Sequence, residues 1–254
     1  MAAAAEIGIA TALGAVIGSF LNVVIHRVPL KMPLVHPGPR CPSCETAIAP
    51  YDNVPVISWL VLRGRCRRCG ARISPRYPAV ELLTAIAFGA VVAVRGFDSG
   101  LLLELPFVAC LIALAGIDLD HRLLPNRIVY PMAAYGLVAG AIVESGDLVE
   151  HLIAGASAFL FLLVTVLAYP RGMGMGDVKL AGAMGFYLGL SVIPALVIAF
   201  LSGSLVGLGI IAREGAAGRK KAVPFGVFLA LGGIVAVLAG PELIELYEDN
   251  FVSE

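Results

Sequence analysis

The chain has 254 residues, 59% of them hydrophobic and only 14% charged. Soluble domains carry roughly 25% charged residues, and a mean hydropathy of +0.92 places this chain among integral membrane proteins. Its formal net charge of zero says little alone; the distribution of the charges says more.

A spanning helix needs about 20 mostly apolar residues. Eight stretches qualify, giving an all-α polytopic fold: 6–26, 79–95, 101–117, 127–144, 150–169, 177–193, 195–212 and 224–241. The first lacks a basic n-region and reads as a retained span rather than a cleaved leader. The sixth is the weakest, interrupted by Gly182, Gly185 and Gly189. The expected division is a first span over 1–26, a polar loop domain over 27–78 and a helical core over 79–254.

The polar loop contains CPSC (Cys41, Cys44) and CRRC (Cys66, Cys69), with 21 residues between the pairs. Two such pairs fit a four-thiolate zinc site. Gly70 follows the second pair as a knuckle turn requires, and Arg65, Arg67 and Arg68 are expected to favour thiolate. Two redox pairs or two disulfides would use the same residues. A four-cysteine site leaves no open metal position, so the metal's expected role is to staple a loop too small for a good core. Cys110 stands alone in the third span and reads as an ordinary apolar side chain.

The third span ends in GIDLDHRLLPN, with Asp118 and Asp120; the sixth begins in MGMGDVKLAG, with Asp177 and Lys179. Ionisable residues within spans point to function. Two carboxylates at one depth suggest an aspartic dyad. Like charges a few ångströms apart cannot both ionise, so the pair shares a proton. The ionised member takes a proton from water, the protonated one donates to a scissile carbonyl, and their titration belongs to the pair. Gly174 and Gly176 are expected to give the bend and clearance that an extended substrate strand needs. Asp177 also meets the positive end of its helix dipole. The same three aspartates suit interfacial or capping positions, and spacing alone does not choose between Asp118 and Asp120.

Charge orients the spans. With eight of them, all 18 lysines and arginines except Arg95 fall in loops on one face: nine between spans 1 and 2, then Arg122 and Arg127, Arg171 and Lys179, and Arg213, Arg219, Lys220 and Lys221. The opposite loops carry Glu144, Asp147, Glu150 and the acidic tail ending in Glu254. The positive-inside rule puts the cysteine loop in the cytoplasm and both termini outside. A reducing cytoplasm also argues against disulfides.

Together these residues resemble the type IV prepilin peptidases, membrane aspartic proteases of the GxGD class. SFLNVVIHRVP (Ser19–Pro29) resembles the first-helix motif of that family. CPSC through YDNVPVISWLVLRGRCRRCGARISPRYPAVELL resembles its zinc domain. IDLDHRLLPN and GMGDVKL resemble its two aspartate motifs, and PFGVFLALG (Pro224–Gly232) its last-helix motif. The resemblance implies cleavage of the basic leader of prepilins and pseudopilins after a glycine, at the cytoplasmic face of a bacterial inner membrane. It implies N-methylation of the new N-terminus with S-adenosylmethionine, the two-activity form being favoured because the zinc loop is kept. It places the catalytic aspartates on Asp118, eight residues before Asn126, and Asp177. No glycine-rich nucleotide fingerprint is present, so the cofactor rests on the resemblance alone. Glu81 is a candidate for methyl transfer and equally a structural cap.

Other features read more simply. His26, His36, His121 and His151 are scattered and interfacial; Trp59 and Tyr77 are packing or interface anchors. Lys179 snorkels to the surface or steadies Asp177. Gly203 and Gly207 form a small-residue packing face, and Arg213–Lys221 a loop attracted to anionic lipid. Nothing points to nucleic acid. A transporter would place its carboxylates near the midplane, and an assembly protein would tolerate loss of Asp118 and Asp177.

Overall fold

The computed structural model describes residues 3–143, 146–169, 173–215 and 223–251. Glu144, Arg171, Arg219, Lys220, Lys221 and Glu254 lie outside the described residues. Among those described the fold is helical, without extended strands, and each of the eight expected segments holds a helix. The helices are α1 (Ala4–Arg27), α2 (Ile57–Val61), α3 (Arg76–Arg95), α4 (Leu101–His121), α5 (Asn126–Val143), α6 (Leu148–Ala168), α7 (Met175–Leu188), α8 (Val192–Glu214) and α9 (Phe225–Phe251). Six stretches are long and apolar enough to cross a membrane, one of them, Met175–Glu214, holding both α7 and α8. The expected sixth span is cut short at Leu188, because Gly189 takes φ +52° and a 3-10 turn over Gly189–Ser191 leads into α8.

The chain forms two compact units, Met1–Phe97 and Asp98–Glu254. In the first, α1 and α3 cross with their backbones in contact. A Cβ on Gly14 would lie 2.6 Å from the Thr84 carbonyl oxygen, and one on Gly18 would lie 2.7 Å from the Glu81 Cα. Glycines four apart let two helices approach this closely. Buried Asn22 fastens the crossing by donating to the Tyr77 carbonyl at 3.1 Å. The close crossing expected at Gly203 and Gly207 is only half realised: Gly203 faces the Phe228 ring, and Gly207 has nothing within 4 Å.

The second unit is built around α4 and α7. Phe107, Val108, Leu111, Leu114 and Ile117 of α4 and Val178, Leu180 and Met184 of α7 are fully buried. Phe107 stacks on Tyr187 with centroids 4.4 Å apart, and the Tyr187 hydroxyl donates to the Met132 carbonyl at 2.7 Å, tying α7 to α4 and α5. Gly185 lets α7 meet α6 backbone to backbone: a Cβ there would lie 2.5 Å from the Gly155 Cα.

Candidate active site and metal centre

In the first unit, both cysteine pairs fold into the same turn. The Cys41 amide donates to the Thr46 carbonyl at 3.0 Å, and the Cys66 amide to the Ala71 carbonyl at 2.8 Å. A left-handed residue follows each pair, Glu45 at φ 55° and Gly70 at φ 72°. The flanking residues pair antiparallel, Arg40 with Ala47 and Arg65 with Arg72. The four sulfurs consequently lie within 4.8 Å of one another, Cys41 Sγ and Cys69 Sγ being 3.8 Å apart. Tetrahedral zinc with bonds of about 2.3 Å sets sulfurs about 3.8 Å apart, so this donor set fits such an ion.

Cys44 and Cys66 owe their acidity to short-range donors and not to the arginines, while in Cys69 the lowering by the Ala71 amide is outweighed by burial and the neighbouring thiols, which push it up to about 11. The Thr46 hydroxyl and amide bring Cys44 down to about 6. The amides of Cys69 and Arg68 lower Cys66. Arg67 is committed elsewhere: it grips the Asp52 carboxylate through two nitrogens at 2.6–3.0 Å and lies over the Tyr51 ring. That contact holds the Asp52 carboxyl below its ordinary range. Trp59 anchors the loop, its indole donating to the Ile73 carbonyl at 3.2 Å. Glu81 is buried and accepts the Val56 amide at 2.7 Å. Val56, a β-branched residue, sits at φ 61°, a conformation that costs free energy and persists only where the surroundings enforce it.

In the second unit, Asp118 and Asp177 are buried, and Asp120, two residues along α4, is exposed. The Asp118 carboxylate lies within electrostatic reach of Asp177. Each carboxylate meets a helix N-terminus. Asp177 is in the first turn of α7, where its Oδ2 accepts the Gly174 amide at 2.9 Å. Asp118 lies against the first turn of α9, beside the Gly226 and Val227 amides. Those are the amides that a helix leaves without internal partners, and the dipole there favours negative charge. Asp118 Oδ2 has no hydrogen-bond partner and is buried.

Leu124 sits between the two carboxylate environments. A Cβ on Gly176 would lie 3.0 Å from the Leu124 Cβ; one on Gly226 would lie 2.9 Å from the Leu124 Cδ2 and 2.8 Å from Asp118 Oδ2. The expected role of the glycines is corrected accordingly. Gly174 is extended, at φ −95° and ψ 159°, a conformation open to any residue. The clearance at Gly176 is occupied by Leu124 of the same chain. Lys179 points to neither carboxylate: its Nζ donates to Asn126 Oδ1 at 3.2 Å and lies 5.3 Å from the Tyr130 ring centroid. Gly226 and Leu124 were not singled out from sequence. The signal for Gly226 was Pro224 ahead of a new apolar run, which marks a helix start and so a set of free amides.

Comparison with known proteins gives the family. The description "Bacterial Peptidase A24 N-terminal domain" matches residues 12–95, and "Type IV leader peptidase family" matches residues 105–212. The prepilin leader peptidase/N-methyltransferase of Aeromonas hydrophila is 38% identical over 93% of this chain and 91% of its own. The chain belongs to the type IV leader peptidase family. Family members bearing that same name in Pseudomonas aeruginosa and Bacillus subtilis are 34% and 33% identical, each over 92% of this chain and over 91% and 94% of their own. No solved structure matches.

Proposed function

We propose that the protein is a membrane aspartic endopeptidase that cleaves the leader of type IV prepilins and pseudopilins, with Asp118 and Asp177 as its catalytic pair. The observation that carries this is the burial of two carboxylates from different helices, Asp118 within electrostatic reach of Asp177, each set against the N-terminal turn of a helix. Held together, the pair shares one proton. The ionised member accepts a proton from an attacking water, and the protonated member donates to the scissile carbonyl oxygen. The Gly174 amide orients Asp177, and the two helix N-termini compensate the charge left on the pair.

The names of the relatives support a second activity, N-methylation of the new N-terminus, which S-adenosylmethionine would supply. Cys41, Cys44, Cys66 and Cys69 would hold structural zinc within the loop 27–78, and the peptidase chemistry would lie within 79–254. The basic distribution supports a bacterial inner-membrane protein with both termini outside and the loop and aspartates on the cytoplasmic side. The substrate is itself a membrane helix, so recognition would be lateral, between helices.

Cleavage of a purified prepilin by wild type, Asp118→Asn, Asp120→Asn and Asp177→Asn tests the pair. Loss in the first and last variants with Asp120→Asn active is expected. Loss in Asp120→Asn with Asp118→Asn active would move the pair by two residues. Activity in all three folded variants would overturn the peptidase reading.

A further inference from the structure

The segment α2 is five residues long and too short to span, and its position relative to α3 assigns it a role. Ile57, Leu60 and Val61 follow i, i+3, i+4 spacing, so they share one face; they are 61%, 61% and 69% exposed. The other face holds the loop together. Ser58 is buried and donates to the Tyr51 carbonyl at 2.9 Å, and Trp59 reaches Ile73. An apolar face left open on a loop of this polarity needs an occupant.

The Glu81–Val56 contact indicates which. Glu81 lies five residues into α3, about 7.5 Å along its axis. Its carboxylate holds the Val56 amide, and Val56 immediately precedes α2. The next residues of α3, Leu82, Leu83 and Ile86, are 50%, 52% and 58% exposed on a helix apolar enough to span. The start of α2 is therefore fixed at the level where the lipid-facing surface of α3 begins.

Charge gives the lipid class. Arg63 follows α2 directly, and Arg65 faces Arg72 across an antiparallel bridge. Like charges directly opposite one another repel. Among the described residues none of these three has an ion-pair partner, the pairing in this loop being Arg67 with Asp52. An apolar helix face beside unpaired arginines at a membrane boundary matches an interfacial anchor to anionic headgroups.

We propose that α2 lies in the headgroup–acyl boundary of the membrane, with Ile57, Leu60 and Val61 toward the acyl chains and Arg63, Arg65 and Arg72 on anionic phosphates. The inference is independent of the peptidase assignment. The chain has one tryptophan, Trp59, which sits within α2 and reports its depth. The full-length protein is reconstituted in nanodiscs of zwitterionic lipid alone or mixed with phosphatidylglycerol, with or without bromine on the upper acyl carbons.

Loss of most Trp59 emission in brominated bilayers is expected. The loss should deepen with phosphatidylglycerol and lessen in high salt. In an Arg65→Gln/Arg72→Gln variant of unchanged metal content, the dependence on anionic lipid should disappear. Leu60→Ser, again with metal retained, should regain emission. Equal emission in brominated and plain bilayers would overturn the proposal and leave solvent or a protein partner on this face. Quenching indifferent to lipid charge would overturn the assignment to anionic headgroups.

Discussion

The two units are held together by opposite means. Between residues 28 and 75 only Cys41, Ser58 and Gly64 are buried. That loop depends on discrete polar links: the cysteine cluster, Arg67 on Asp52, Ser58 on Tyr51 and Glu81 on Val56. In the second unit α4 alone buries eleven residues, and polar side chains are rare in its interior. A segment without a core keeps a thiol cluster, the Arg67 guanidinium and a strained valine because Thr46, Asp52 and Glu81 answer them locally. An apolar interior tolerates Asp118 and Asp177 where each meets the N-terminal turn of a helix. One region can therefore be undone by removing a single ligand, while the other is disturbed by changing a charge or adding a methyl group.

The largest expected effect is in the dry unit. General acid–base groups contribute about 10²–10⁴-fold to rate, so Asp177→Asn should lower prepilin cleavage at least that far in a timed assay. The amide keeps the shape of the side chain and an oxygen for the Gly174 amide, so the thermal transition should move little. A large fall in stability would instead make Asp177 a structural cap. Next in size is Cys66→Ser. It should abolish metal binding and expose the loop to trypsin within residues 28–75, while leaving the aspartate chemistry intact. Metal content equal to wild type would refute the four-cysteine site.

Gly226→Ala probes the point where the dry unit meets charge. The new Cβ would fall 2.8 Å from Asp118 Oδ2 and 2.9 Å from Leu124. Overpacking costs about 1–3 kcal/mol; expressed in the transition state, that is roughly a tenfold loss of kcat. Full activity in this variant would show that Asp118 does not depend on the start of α9.

Much of this was legible in the residues, for physical reasons that differ between the units. Spans are set by local apolarity, so each of the eight segments holds a helix, the sixth broken where Gly189 takes φ +52°. Knuckle turns are also local, so two Cys-x-x-Cys pairs announced one cluster. What the sequence could not show was tertiary. Asp118 and Asp120 are equivalent by spacing, and only the packing of α4 buries one and exposes the other. The arginines beside Cys66 looked like the source of thiolate character, but Arg67 is drawn away by Asp52, fifteen residues earlier in the chain. The donors that remain are backbone amides, which no composition reveals. Gly14 and Gly18 carry a close helix crossing, whereas Gly203 and Gly207, with the same spacing, do not, because nothing approaches Gly207.

The smallest expected effect distinguishes two meanings of one carboxylate. Glu81 was a candidate for methyl transfer, and its carboxylate is engaged by the Val56 amide. If it serves only to hold α2 against α3, Glu81→Gln keeps an acceptor oxygen in place. The loss is then the added strength of a charged hydrogen bond, about 1 kcal/mol, visible as a small drop in thermal stability, with cleavage and methylation falling no further than that drop explains. If Glu81 acts on the new N-terminal amine, methylation should collapse while cleavage stays at the wild-type rate. The two rates measured on one prepilin substrate therefore separate scaffold from chemistry. The buried position and the strain carried by Val56 favour the scaffold outcome, because both fix the carboxylate against the start of α2.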